Sequence, residues 1–268
     1  MIFNKIPPTN VDFITYNRLL PATSAPISRP QNPEICSASP LNSESVNEKN
    51  LKKTNAFIFT LEKKEILHGI LLGDANLATE NKGQTFRLRL VQSESHKEYL
   101  DHLVTHFEEL GRTPVKQNPA NNTYYWNSLQ SASLRYYGHQ FYREINGKWV
   151  KKVPENVKKW LTPRAVTYWI LDDGSAKDKK TTTALRLCTD SFSYLDVKKL
   201  SEALEENFNI ETSIYENRPN QYRIYCKAPS VNSLWVQITP ILQNEIAPTS
   251  PQILQKLPNK IYAQLKLD

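Results

Sequence analysis

The sequence predicts an α+β fold in which one unit is written twice, each copy in the order αββαββα with its own antiparallel sheet. Three observations predict it. Two apolar helical stretches, "EILHGILLGDAN" (65–76) and "RAVTYWILDDGS" (164–175), end alike in acidic and small residues, which places Asp74 and Asp173 at matching positions 99 residues apart. Strands of alternating character follow each stretch at that spacing, "FRLRLVQS" (86–93) and "LRLCTDSF" (185–192). Amphipathic helices come next, at 96–110 and 194–208.

In chain order, Thr60 is placed to cap the first helix, with Glu62 in its first turn and Gly73-Asp74 at its end. Arg87 and Arg89 alternate with Phe86, Leu88 and Leu90, which is strand periodicity. At the spacing of 99, Arg87 falls on Arg186 and Leu88 on Leu187. The helix of 96–110 carries Leu100, Leu103, Phe107 and Leu110 on one face, and its counterpart carries Val197, Leu200, Leu204 and Phe208. Two further strands, "TYYWN" (123–127) and "QYRIYCK" (221–227), match at a spacing of 98. That spacing pairs Thr123, Tyr125 and Asn127 with Gln221, Arg223 and Tyr225 as polar faces. Tyr124, Trp126, Tyr222 and Ile224 form the apolar faces. Thr162-Pro163 opens the second apolar helix and Gly174 closes it.

These repeats divide the chain into a first unit over 55–160 and a second over 161–268. Residues 1–54 differ: they hold seven of the 17 prolines, six serines, no tryptophan and no glycine. Such a segment buries too little apolar surface to offset its ordering entropy, so it reads as a disordered leader. A transit peptide and a remnant without function are both open readings for it.

The chain carries 34 Lys+Arg against 27 Asp+Glu, a net charge of +7, which fits a polyanionic partner without distinguishing DNA from RNA. Cys36, Cys188 and Cys226 are far apart with no CxxC pair, and the histidines lack ligand spacing, which argues against disulfides and zinc. No apolar run approaches a membrane span. Two sheets side by side, each with a polar face, would present a long basic surface of the kind a duplex major groove admits.

The acids at the helix ends raise a physical question, because the C-terminus of a helix is already its negative pole. Both helices are apolar for about three turns, and Gly69 and Gly73 make one smooth face for close approach. Packed on a pseudo-twofold axis, they bring Asp74 and Asp173 together beside two negative ends. A divalent cation relieves that repulsion, and carboxylates with backbone carbonyls are the hard oxygen donors Mg²⁺ prefers.

"LHGILLGDA" (67–75) and "VTYWILDDG" (166–174) resemble the two motifs of the single-chain LAGLIDADG homing endonucleases. The resemblance covers roughly 57–262 and is closest to the organellar omega-intron type, through "LGDA" (72–75), the "LTP…YWxxDDG" layout of 161–174 and "KLPN" (256–259). It implies a DNA-binding saddle of two sheets with the motif helices at the interface. It also implies Mg²⁺-dependent cutting of a long asymmetric duplex target by a monomer in a mitochondrion or chloroplast, with Mn²⁺ as a substitute ion. Asp74 and Asp173 would each bind metal and serve one strand, with the Gly73 and Asp172 carbonyls as further ligands. The catalytic lysines would be Lys151, with Lys152 as the adjacent alternative, and Lys256. DNA contacts are expected from Arg87, Arg89, Tyr125, Asn127, Lys177, Arg186, Arg223 and Tyr225. The family's small helix-contact residues are replaced by His68, Thr167, Tyr168 and Asp172, so an asymmetric interface is expected. His68 is expected to be a packed histidine. The alternatives are an intron RNA maturase on the same scaffold and a DNA-binding protein whose acids are structural.

Overall fold

Thr60 caps helix α1 (Leu61–Leu72) by accepting a hydrogen bond from the Lys63 N–H, and Gly73 ends it. Thr162 does the same for α5 (Pro163–Asp173) through the Ala165 N–H, with proline in its first turn and Gly174 at its end. The computed structural model describes residues 56–265, so the expected leader over 1–54 lies outside the described residues. Ile66 to Leu72 of α1 and Ala165 to Leu171 of α5 are buried without interruption. A helix apolar all round must be covered all round, and the two pack against each other at the centre.

Four strands follow α1: β1 (Asn76–Ala78), β2 (Arg87–Ser93), β3 (Lys116–Asn118) and β4 (Thr123–Asn127). They form an antiparallel sheet in the order β1-β2-β4-β3. After α5, β7 (Gly174–Ala176), β8 (Leu185–Leu187), β9 (Thr212–Arg218) and β10 (Gln221–Cys226) form a second sheet in the corresponding order, β7-β8-β10-β9. Helix α2 (Lys97–His106) covers β2 and β4, and α6 (Tyr194–Phe208) covers β9 and β10. Leu88, Leu90 and Trp126 point into the first core, and Leu187, Ile224 and Cys226 into the second. The remaining helices are α3 (Arg135–Phe141), α4 (Val157–Trp160), α7 (Asn232–Ile241) and α8 (Asn259–Gln264).

The structure differs from the sequence expectations in four places. A hairpin of β5 (Tyr142–Ile145) and β6 (Lys148–Lys151) was not anticipated. It flanks the edge strand β1, whose Leu77 N–H donates to the Tyr142 hydroxyl at 2.9 Å. The strand expected over 185–192 stops at Leu187, because a turn closed by the Phe192 N–H on the Thr189 carbonyl takes the chain out of the sheet. The helix expected over 96–110 breaks after His106 into a 3₁₀ turn over Glu108–Leu110, ended by Gly111 at φ 121°. Finally, Arg186 is the counterpart of Arg89, not of Arg87. Asn76, Arg89 and Asn127 form one cross-strand row, and Ser175, Arg186 and Tyr225 form its equivalent.

Unequal residues fit together along the central helix pair. Glu65 and Arg164, matched positions of the two motifs, form an ion pair at 2.7 Å, and Glu245 binds the other edge of the same guanidinium. A methyl group on Gly69 would lie 2.2 Å from the Ala165 carbonyl oxygen and 3.0 Å from Tyr168 Cβ. One on Gly73 would lie 2.4 Å from Asp172 Cβ. Each glycine on α1 therefore makes room for a larger residue on α5. The Tyr168 hydroxyl pairs with His102 Nε2 at 2.9 Å, while His102 Nδ1 meets the Thr249 hydroxyl at 3.0 Å. His68 stacks on Trp160 with rings 4.4 Å apart, and its burial lowers its pKa to about 4, as suits a neutral packed ring.

Candidate active site and nucleic-acid interface

The last turns of α1 and α5 deliver Asp74, Asp172 and Asp173 to one locality. The Asp74 N–H donates to Asp172 Oδ2 at 3.2 Å, tying one helix end to the other. Lys151, at the end of β6, donates to the carbonyls of Gly73 (2.8 Å) and Ala75 (3.0 Å). Lys256, in the 3₁₀ turn over Pro251–Lys256, donates to those of Leu171 (2.7 Å) and Asp172 (2.8 Å). Each lysine thus sits against the carbonyl-rich C-terminus of one motif helix, the end that favours a cation. Of the two adjacent candidates only Lys151 turns inward, while Lys152 lines a surface concavity with Arg143 and Lys199.

The charges are crowded, and all but the exposed Asp74 are partly withdrawn from water. Burial, then the negative charge of Asp74, pushes Asp173 up to about 7 against the pull of Lys151 and Lys256. Burial, then Asp74 and Asp173, holds Asp172 well above the usual carboxylate range. Burial brings Lys151 down to about 8, opposed by Asp173, Asp172 and Asp74, and it lowers Lys256 as well. Fully charged, the three acids would outnumber the two lysines, and Asp172 and Asp173 reduce that excess by holding their protons longer.

Carboxylate and carbonyl oxygens form a hard donor set that fits a divalent cation of the Mg²⁺ type. Among the described residues no three His, Cys, Asp or Glu side chains close a complete cage. The carbonyls of Gly73 and Asp172 are two of the four that accept from the lysines.

Two residues near the centre escaped the sequence reading. Gln92 ends the inward face of β2, and its Nε2 approaches Asp172 Oδ1 at 3.4 Å. The phenol of Tyr99 is fully buried, and burial followed by the charge of Asp172 raises its pKa. A signal for Gln92 was available: it is the one polar side chain on the inward row of Leu88 and Leu90.

The model of the LAGLIDADG DNA endonuclease family matches residues 64–234, which include most of α1, all of α5 and every strand of both sheets. The chain belongs to this family. It is 32% identical over 177 residues to DNA endonuclease I-ChuI of Chlamydomonas applanata, covering 62% of this chain and 81% of the relative. It is 29% identical over 197 residues to cytochrome b mRNA maturase bI2 of Debaryomyces hansenii, covering 68% and 70%. Its fold is similar to that of the homing endonuclease I-WcaI bound to its DNA recognition sequence, with TM-score 0.62 and 25% identity over 78% of this chain and 94% of that one.

In this LAGLIDADG protein the outward sheet faces divide into free and pinned cations. Arg89 is exposed and pairs with no carboxylate among the described residues. Tyr125 and Asn127 stand beside it on β4. Arg87 is paired with Glu80. On the second sheet Arg186 approaches the carbonyls of Ala176 and Lys177, Lys177 lies over the Tyr225 ring at 5.0 Å, and Arg223 is paired with Asp190. No described helix is long and apolar enough to cross a membrane.

Proposed function

We infer that this chain is a site-specific endonuclease that cuts both strands of a long, asymmetric DNA target, the activity of an intron-homing enzyme. The single observation that carries the reading is the doubled centre: a motif acid with a half-buried lysine on the adjoining carbonyls, present once per half at the foot of two basic sheets. Each half serves one strand, and residues 55–160 and 161–268 are the corresponding repeats. One chain supplies both half-sites, so the active form is a monomer.

Asp74 and Asp173 are the metal-binding acids, with the Gly73 and Asp172 carbonyls beside them. They would hold a divalent cation, Mg²⁺ with Mn²⁺ as substitute, which would supply positive charge against the phosphate and Lewis acidity. Lys151 and Lys256 each use two of three N–H groups on carbonyls and keep one for a phosphate oxygen or a water. With its pKa near 8, Lys151 can lose a proton near neutral pH and so accept one from an attacking water. Gln92 orients Asp172. Arg89, Arg186, Tyr125, Asn127, Tyr225 and Lys177 meet the duplex, and Arg87 and Arg223 do so with their acid partners. The compartment is a mitochondrion or chloroplast.

A test is to incubate the protein with the intron-less junction of the gene that carries its reading frame. Mg²⁺-dependent cutting of both strands near the junction, abolished by EDTA, is expected. Tight Mg²⁺-independent binding with no cutting of any duplex would overturn the reading. Similarity to a cytochrome b mRNA maturase favours intron RNA as a second partner, which a splicing assay with the host intron would reveal.

A further inference from the structure

Arg223 projects from the outward face of β10, the row it shares with Tyr225, while Ile224 and Cys226 point into the core. Its Nε and Nη2 donate to Asp190 Oδ1 and Oδ2 at 2.9 and 2.6 Å, a fork-on-fork contact. Asp190 stands in the turn that ends β8 early. The turn is anchored by Thr189, fully buried, whose hydroxyl donates to the Tyr222 carbonyl at 2.5 Å on the neighbouring strand. The acid is thereby fixed relative to the arginine it holds. Both side chains keep partial access to solvent, at 30% and 23% exposure.

Resting on the endonuclease reading above, we propose that the Arg223–Asp190 pair is a pre-oriented guanine reader in the second half-site. The carboxylate occupies Nε–H and one Nη2–H, so the end of the guanidinium keeps an Nη1–H and an Nη2–H side by side. That edge matches the N7 and O6 acceptors of guanine in the major groove. The pair carries no net charge, and Asp190 repels phosphate, so it is a poor backbone anchor. Its geometry is that of a fixed fork, which loses little freedom on meeting a planar acceptor pair. Arg89, exposed and without an acid partner among the described residues, has the opposite character and suits a phosphate or an adaptable contact.

The test is a binding selection of the full chain on duplexes with a randomised central segment, without metal. The bound fraction is sequenced for wild type, Arg223→Gln and Asp190→Ala, with thermal midpoints measured in parallel. For the wild type, one position is expected to prefer guanine over other bases by about tenfold to a hundredfold, the worth of one good bidentate pair. Arg223→Gln should move the preference at that position to adenine, which a carboxamide reads through N6 and N7. Asp190→Ala should flatten the same position and leave the others unchanged. If Asp190→Ala fails to fold, the adenine shift in Arg223→Gln decides alone. An unaltered base profile in Arg223→Gln, or a uniform loss at all positions, overturns the proposal and makes the pair a structural tie. Mg²⁺-dependent cutting of the selected wild-type sequence reports separately on the endonuclease reading.

Discussion

Asp172 stands where the first motif has Gly73, and this one exchange sets much of the local electrostatics. Its side chain takes the Asp74 N–H, and its carbonyl takes Lys256. The acids beside it share the effect, and Asp173 keeps its proton to about pH 7 in the folded protein. An acid whose folded pKa exceeds its unfolded value of about 3.9 holds its proton longer when folded, so stability falls as pH rises between those values. Metal-free wild type is therefore expected to lose on the order of 1–4 kcal/mol more than Asp173→Asn between pH 4 and 7. Denaturant midpoints at the two pH values check this, and parallel pH profiles for the two proteins would refute it. Asp74 and Asp173 were singled out by their matching places in the repeat, Lys151 and Lys256 only by the family resemblance, and the structure brings all four to the ends of the two motif helices. Gln92 offered only its polar character on an apolar row, because what it meets depends on the end of β2 reaching α5, a contact 80 residues apart in the chain.

Helices α1 and α5 show why size must be read across the interface and not along one strand of sequence. Tyr168 alone looks too large for a close helix contact, but Gly69 opposite it removes the conflict. In an exposed helix a Gly→Ala change stabilises by roughly 0.5–1 kcal/mol. Here the added methyl would meet the Ala165 backbone oxygen, which cannot rotate away. Gly69→Ala is expected to reverse that sign and destabilise by about 1–3 kcal/mol, with a matching loss of cutting as the two centres shift. Thermal and denaturant unfolding check it, and a neutral or stabilising result would mean that the helices are looser than described. Strand register was read wrongly from the sequence for a related reason. The hairpin from Ser175 to Arg186 is two residues shorter than that from Asn76 to Arg89, so a constant spacing assigned Arg186 to the wrong partner. The early exit of β8 after Leu187, into the turn closed by the Phe192 N–H on the Thr189 carbonyl, is likewise invisible in local periodicity.

At the scale of the molecule, the sheet order β1-β2-β4-β3 and its repeat place one lysine–acid centre in each half and cationic side chains on each outward face. The duplicated helix–strand pattern made the class of this fold legible from the sequence, since two matching apolar helices with polar-faced sheets have few other ways to bury themselves. Phosphate contacts along two sheets should make DNA binding fall with salt at a log–log slope on the order of −5 or steeper. Titration from low to high salt checks that, and a flat response would remove the basic interface. The measurement that bears most directly on the doubled centre uses Asp74→Asn and Asp173→Asn, each alone, with a duplex labelled on both strands. Asparagine keeps the shape but removes the charge that offsets a cation. Each variant should lose double-strand cutting by orders of magnitude, bind metal-free DNA as tightly as wild type or slightly tighter, and fold with unchanged or modestly raised stability as repulsion at the helix ends is relieved. Full double-strand cutting by either variant, or loss of cutting together with loss of the fold, would contradict the account.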